Sequence, residues 1–450
     1  MRQAMAVQIS WSAMAEDRIC CDRGSGRLWQ MIRATATEDR ICCDKGSGRP
    51  RQMIWSTATG GLDSHGRKPE ERKEHMKEYG GYIELDTYHG KELYPDLLAL
   101  NSARTALRFL IRYRQIKKIL LPTPCCYTIW EACEQEKIPW AFYPVDQHFQ
   151  PVLDDQRAQG LEAGEWLYLV NYYGVLSDDQ LQAYADAYPR LIVDNAQAFF
   201  RPPFTPQRAR GMEGTVDTLY SCRKFLGVPD GAYLDVGGDA AIGADLAIGN
   251  APAAEKDLAA GNALTSDPAP HQTMDQRLQS LYDALPLDVS HQRMGFLLGR
   301  FEGRASDYYA DYASNNALFS EEPVKQMSRL THNLLRGIDY DFVMARRSEN
   351  FRHLHERLKD LNRLELPLVP GAYAYPFWYR EDAPSGPWLR KKLLEKKIYI
   401  PTLWPEMLQK GQEETMSYRL SENILPLPVD QRYGTEDMDV ICDALLAALA

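Results

Sequence analysis

From about Tyr82 onward the chain alternates between two hydrophobic periods. LNSARTALRFLIRYRQ (100–115) places Ala106, Leu107, Leu110 and Ile111 on an i, i+3/i+4 stripe, which predicts a helix with Asn101 or Ser102 as its N-cap. KKILLP (117–122) reads as a short apolar strand ended by proline, TIWEACEQEK (128–137) as helix and IPWAFYPV (138–145) as strand. EWLYLVNYYG (165–174) is strand again. SDDQLQAYADAYP (177–189) opens on a serine followed by acids, the arrangement that favours a helix N-terminus. RLIVDNA (190–196), 217–222 and 231–236 complete the strands. Strands alternating with helices across short turns predict βαβ units and a mostly parallel sheet, an α/β fold. In such sheets ligands bind at the carboxyl ends of strands.

Residues 237–300 are richer in Ala, Gly and Asp and have weak periodicity, as a loop-plus-helix connector does. Phe351, Leu354, Leu358 and Leu361 then mark a strong helical stripe. His353 and His355 point to different faces of that helix, so they are expected on the surface and not as a metal pair; no metal site is expected anywhere. LELPLVP (364–370), AYAYPFWY (372–379) and IYIP (398–401) read as strands, and WLRKKLLEKK and MDVICDALLAALA (438–450) as helices. The expected organisation is a large domain over 76–314 and a smaller α+β domain over 315–450.

The first 75 residues differ. Residues 16–37 and 38–59 are tandem copies of 22 residues, identical at 17 positions. Two short copies cannot bury a continuous core, and their adjacent pairs Cys20–Cys21 and Cys42–Cys43 lack the separated spacing of a zinc or redox site. Gln8, Ser10 and Ser12 interrupt any signal-peptide apolar run. We expect 1–75 to be a disordered or spurious extension and the native chain to start at Met76. The preceding Glu71-Arg72-Lys73-Glu74-His75 is compatible with purine-rich coding upstream of a bacterial start.

Charge and cysteine usage narrow the function classes. The net charge of −10, with 52 basic against 62 acidic residues, argues against nucleic acid as a partner. No run of about 18 apolar residues is present to span a membrane. Nine cysteines without disulfide-like spacing suggest reduced thiols and a cytoplasmic setting.

Three features at the predicted strand ends are chemically unusual. Asp194 ends an apolar strand, where a buried carboxylate is costly without a cation or several donors; a helix N-cap or loop acid is the plainer alternative. Ser221-x-x-Lys224 ends another strand. Its lysine is either a solvated turn residue or a buried amine kept for chemistry, and S-x-x-K also occurs in acylating serine enzymes, where it opens a helix. Ser102-Ala103-Arg104 precedes a helix whose first N–H groups are free, an anion site unless it is simple capping. Together they match pyridoxal phosphate, which needs an amine (Lys224), an acid for its ring nitrogen (Asp194) and a phosphate cup (the helix start at 103–105 and Ser221).

The same residues carry a resemblance. Residues from about 79 to 450 resemble the DegT/DnrJ/EryC1/StrS family, the fold-type-I pyridoxal-phosphate aminotransferases of sugar biosynthesis. NSARTAL is similar to the family's S-G-T-x-A-L helix start, KKILLPTPCCYTIWEA to its strand and proline loop, and LIVDNAQA to its V-x-D-x-A-[HQ]-A motif. SCRKFLGVPDGAYL resembles its lysine turn, and ENILPLPVDQRYGTEDMDVICDAL its C-terminal segment. The resemblance implies a three-layer αβα large domain and a smaller C-terminal α+β domain. It implies Lys224 as the Schiff-base lysine, Asp194 against the ring nitrogen, Gln197 near the phenolic oxygen, and Ser221 with the Ala103 and Arg104 amides on the phosphate. Two positions depart from the pattern. Leu219 stands where the family places its phosphate serine, and Cys126 where it places the ring-stacking aromatic, with Tyr127 adjacent; either Cys126 or Tyr127 could meet the ring. The chain therefore resembles a divergent branch. The implied activity moves an amino group from an amino acid, commonly glutamate, to a keto sugar, typically nucleotide-linked, in polysaccharide or secondary-metabolite biosynthesis. Lys224 acts as the base, and the active sites span a homodimer. Alternatives on the same fold are a lyase or a non-catalytic, regulatory protein.

Overall fold

The computed structural model describes residues 79–154, 160–207, 214–237 and 276–450, of which 83–450 form one compact unit. The tandem repeat, Met76 and residues 238–275 of the 237–300 connector lie outside the described residues.

Seven strands form a mixed sheet: β1 (Leu98–Leu100), β2 (Lys118–Thr123), β3 (Trp140–Pro144), β4 (Glu165–Val170), β5 (Arg190–Asp194), β6 (Thr215–Ser221) and β7 (Ala232–Asp235). Their order is β1-β7-β6-β5-β4-β2-β3. β2 through β6 pair in parallel, and β7 runs antiparallel to both β1 and β6. Hence β1 points the same way as β6, and every strand but β7 ends at one edge. Every residue of β4 is buried, as are all but the end residues of β2. Continuous burial of that kind means both faces of the sheet are covered.

The connections are the helices expected from the apolar stripes: α1 (Ala103–Arg114), α2 (Tyr127–Gln135) and α3 (Asp178–Ala187). Ser102 caps α1 and Ser177 caps α3, each in a reciprocal capping box. α1 buries more than its apolar stripe. Arg104 and Arg108 are also buried, held by Glu131 at 2.8 Å and Glu136 at 2.7 Å.

After β7 the described chain continues through α4 (Gln276–Asp283), α5 (Gly295–Glu302), α6 (Tyr309–Glu321), α7 (Arg329–Arg336) and α8 (Tyr340–Leu358). Then follow β8 (Ala374–Phe377), α9 (Gly386–Glu395), α10 (Met416–Asn423), β9 (Leu425–Pro428) and α11 (Thr435–Leu449). β8 and β9 pair antiparallel, Ala374 opposite Pro428 and Phe377 opposite Leu425. Phe351, Leu354 and Leu358 of α8 pack there with Tyr375, Phe377, Leu389, Leu427 and Met438 in a second core. A third cluster joins Met327, Leu335 and Val343 to Phe199, Phe225 and Tyr233 beside the sheet.

Two expected strands do not form. Residues 364–370 are irregular: Pro367 and Pro370 withhold ladder donors, and Leu364 and Leu366 instead pack as coil against the main core. Residues 398–401 are irregular too, because Ile398 N–H closes the end of α9 by donating to Leu393 O at 3.0 Å.

Candidate active site

The carboxyl ends of β5 and β6 are locked together by Asn195 N–H, which donates to Leu219 O at 2.8 Å. This brings Asp194 and the Ser221–Lys224 turn to one place on the sheet edge. Asp194 is buried. Its Oδ2 accepts from the Tyr168 hydroxyl of β4 at 2.9 Å and its Oδ1 from Ala196 N–H at 2.8 Å. Burial, then the Asp194 carboxylate, pushes the Tyr168 phenol well above its ordinary range, so it stays a donor. Two donors hold the carboxylate without a cation, and a carboxylate has further acceptor capacity.

Gln197 lies in the turn after β5. Its Oε1 accepts from Tyr173 N–H at 2.9 Å, which leaves the NH₂ group to donate elsewhere. Asn171 Nδ2 donates to Asn195 Oδ1 at 2.9 Å, so the turns after β4 and β5 are stitched side chain to side chain.

Lys224 ends a single 3₁₀ turn, Cys222–Lys224, and its side chain is exposed. It ends on the rim of the edge, Nζ 5.9 Å from the Tyr373 ring centroid, with no carboxylate in ion-pair range among the described residues. The backbone beneath it is fixed. Phe225 O accepts from Arg347 Nη2 and Gln431 Nε2, both at 3.0 Å. Asp230 accepts from Ser328 N–H and Oγ at 2.8 Å and from the Thr331 hydroxyl. Gly231, at φ 119°, donates to Asn101 O at 2.7 Å, and a Cβ there would meet Thr331 at 3.1 Å and Cys222 at 3.3 Å. Ser221 is half-buried at the end of β6.

Through Asn101 the lysine turn touches the start of α1. Ser102 Oγ and Thr105 Oγ1 are engaged in the capping box, so the Ala103 and Arg104 amides are the free donors of the first turn. The Arg104 guanidinium lies 5.6 Å from the Tyr127 ring centroid, and Tyr127 is among the exposed aromatics. Cys126 is the N-cap residue of α2, its Sγ accepting from Thr128 Oγ1 at 3.2 Å. Tyr168, Arg347 and Asp230 were not singled out from sequence. Tyr168 left a trace, a phenol among the mostly apolar residues of β4, and Asp230 stood in the turn SCRKFLGVPDGAYL.

No protein-family model and no curated protein matches the chain. Solved structures do. NtdA of Bacillus subtilis, with bound cofactor PMP, is 12% identical over 78% of this chain and 73% of its own, with a TM-score of 0.50. Spr1654 of Streptococcus pneumoniae in its apo form is 13% identical over 80% of this chain and 91% of its own, also at 0.50. A DegT DnrJ EryC1 StrS aminotransferase of Brucella abortus is 15% identical over 78% of this chain and 85% of its own, at 0.47. At these identities the likeness is one of fold. The described chain has an α/β fold with a mostly parallel sheet, the fold that NtdA and Spr1654 also have.

Proposed function

We propose that this protein is a pyridoxal-phosphate-dependent aminotransferase. The observation that carries the reading is the pairing of Asp194, buried and held by two donors, with the Lys224 turn on the adjoining strand end. The side chains suit the cofactor. Asp194 can accept from a protonated ring nitrogen, the free Gln197 NH₂ can donate to a phenolic oxygen, and the Ala103 and Arg104 amides with Ser221 can donate to a phosphate. When bound, the cofactor supplies the electron sink that makes a substrate α-proton removable. Lys224 Nζ takes that proton and returns it, as general base and then acid. Asn195 and Asn171 keep the acid-bearing turn aligned with its neighbour. Cys126 or Tyr127, at the start of α2, would meet the ring of the cofactor.

Glutamate is the proposed donor and a keto sugar, typically nucleotide-linked, the proposed acceptor. NtdA was solved with PMP, and Spr1654 bears the name of a sugar aminotransferase. The proposed working form is a homodimer in the cytoplasm. Leu298 and Phe301 of α5 are exposed, apolar side chains that a second copy would cover. The five described cysteines are all free. No helix among the described residues is long and apolar enough to cross a membrane. Incubation with ¹⁵N-glutamate and a panel of nucleotide-linked keto sugars tests the reading. Formation of 2-oxoglutarate and an aminated sugar supports it. Elimination without amino transfer would favour a lyase instead.

A further inference from the structure

Arg223, the residue before Lys224, is a cation with no carboxylate in ion-pair range among the described residues. It donates through Nη2 to Asn316 Oδ1 of α6, and its guanidinium lies 4.6 Å from the Phe319 ring centroid. Its Nε is sealed from solvent with no acceptor. Burial pushes its pKa down, and the nearby Arg293 and Arg104 add to that against Tyr312 and Asp230. Arg104 is similar. Its Nη1 meets Ser320 of α6 and Glu131, yet its Nε is buried and unpaired. Helix α6 matches poorly the groups it covers. Beside Asn316, the Asn315 amide is buried with neither its oxygen nor its nitrogen bonded. Meanwhile Tyr309, Tyr312 and Leu318 of the same helix face solvent. Buried guanidinium Nε and amide atoms left without partners are costly, and a permanent cover would satisfy them.

We propose that Arg104 and Arg223 form an anion-binding site for a phosphate-bearing ligand, and that α6 covers this site until the ligand displaces Asn316 and Ser320. Two guanidinium forks offer more donors than one carboxylate accepts, and they suit the oxygens and higher charge of a phosphate. The proposal rests on the aminotransferase reading only for its assignment of Lys224, next in the chain. The phosphate could belong to the cofactor or to the substrate.

The test is hydrogen–deuterium exchange of the full chain with and without inorganic pyrophosphate. Amides of 309–321 should lose protection when pyrophosphate binds, and Arg223→Gln or Arg104→Gln should weaken that binding by at least about 10-fold. Unchanged exchange over α6, or equal binding by both variants, overturns the proposal. Arg223→Gln should also melt no lower than the unmutated chain, since it removes a half-buried charge with no carboxylate partner among the described residues; a marked fall would make Arg223 structural. A second arm loads the chain with pyridoxal phosphate and fixes it with borohydride. If loading abolishes pyrophosphate binding, the cofactor's phosphate is the occupant; if binding persists, a substrate phosphate is. Should Lys224 take no pyridoxyl group while pyrophosphate still opens α6, the anion site stands and the cofactor reading fails.

Discussion

Arg347 of α8 donates from Nη2 to the carbonyl of Phe225, one residue past Lys224, at 3.0 Å. The same guanidinium donates to Ala372 O at 3.0 Å and Gln431 Oε1 at 2.9 Å, so one buried side chain ties the lysine turn to the part of the chain that carries β8 and β9. Burial pulls its pKa down to about 10, still protonated at neutral pH. Arg347→Met should therefore cost about 2–4 kcal/mol of stability, because it leaves acceptors unpaired on both sides. Urea denaturation measures this, and Gln431→Ala, which leaves Phe225 O one donor, should cost about 1 kcal/mol.

Tyr168→Phe keeps the packing of β4 and removes one of the two donors to Asp194. Pyridoxal phosphate affinity should fall about 10-fold while stability changes by less than about 1 kcal/mol. Asp194→Ala should lower affinity by more than about 100-fold. Absorbance titration with the cofactor gives both values.

Asp235 of β7 sits by Asp217 and Arg114. Burial first and Asp217 second push its carboxyl up to about 7, with Arg114 opposing. The unfolded value is near 4, so the folded state binds this proton more tightly. Its contribution to stability is full below about pH 4 and is lost as pH rises through about 7. Asp235→Asn should remove a pH-dependent decline on the order of a few kcal/mol between those limits. Denaturation midpoints of both proteins across that range are the check.

The sheet was legible because its strands are short apolar runs between turn residues, and Ser177 with the acids behind it announced α3. The positions of Asp194 and Ser221 at strand ends followed from the same runs. Contacts that depend on distant pairing were not legible. Nothing in RLIVD says that Tyr168 will lie beside it, and nothing in the α8 sequence says that Arg347 will reach Phe225. Leu98–Leu100 is too short to separate from the helix it precedes. LELPLVP alternates as a strand should, but Pro367 and Pro370 withhold ladder donors and its leucines find the core as coil. The exposure of Lys224 was equally out of reach, because it depends on what packs over a rim and not on the turn itself.

The most direct measurement is the site of pyridoxyl labelling. The full chain is incubated with pyridoxal phosphate, reduced with borohydride, digested and mapped by mass spectrometry. One pyridoxyl group on Lys224, absent from the Lys224→Ala chain, is the expected result. No stable label, or the same label on another lysine in both proteins, would contradict the assignment of Lys224 and with it the proposed chemistry.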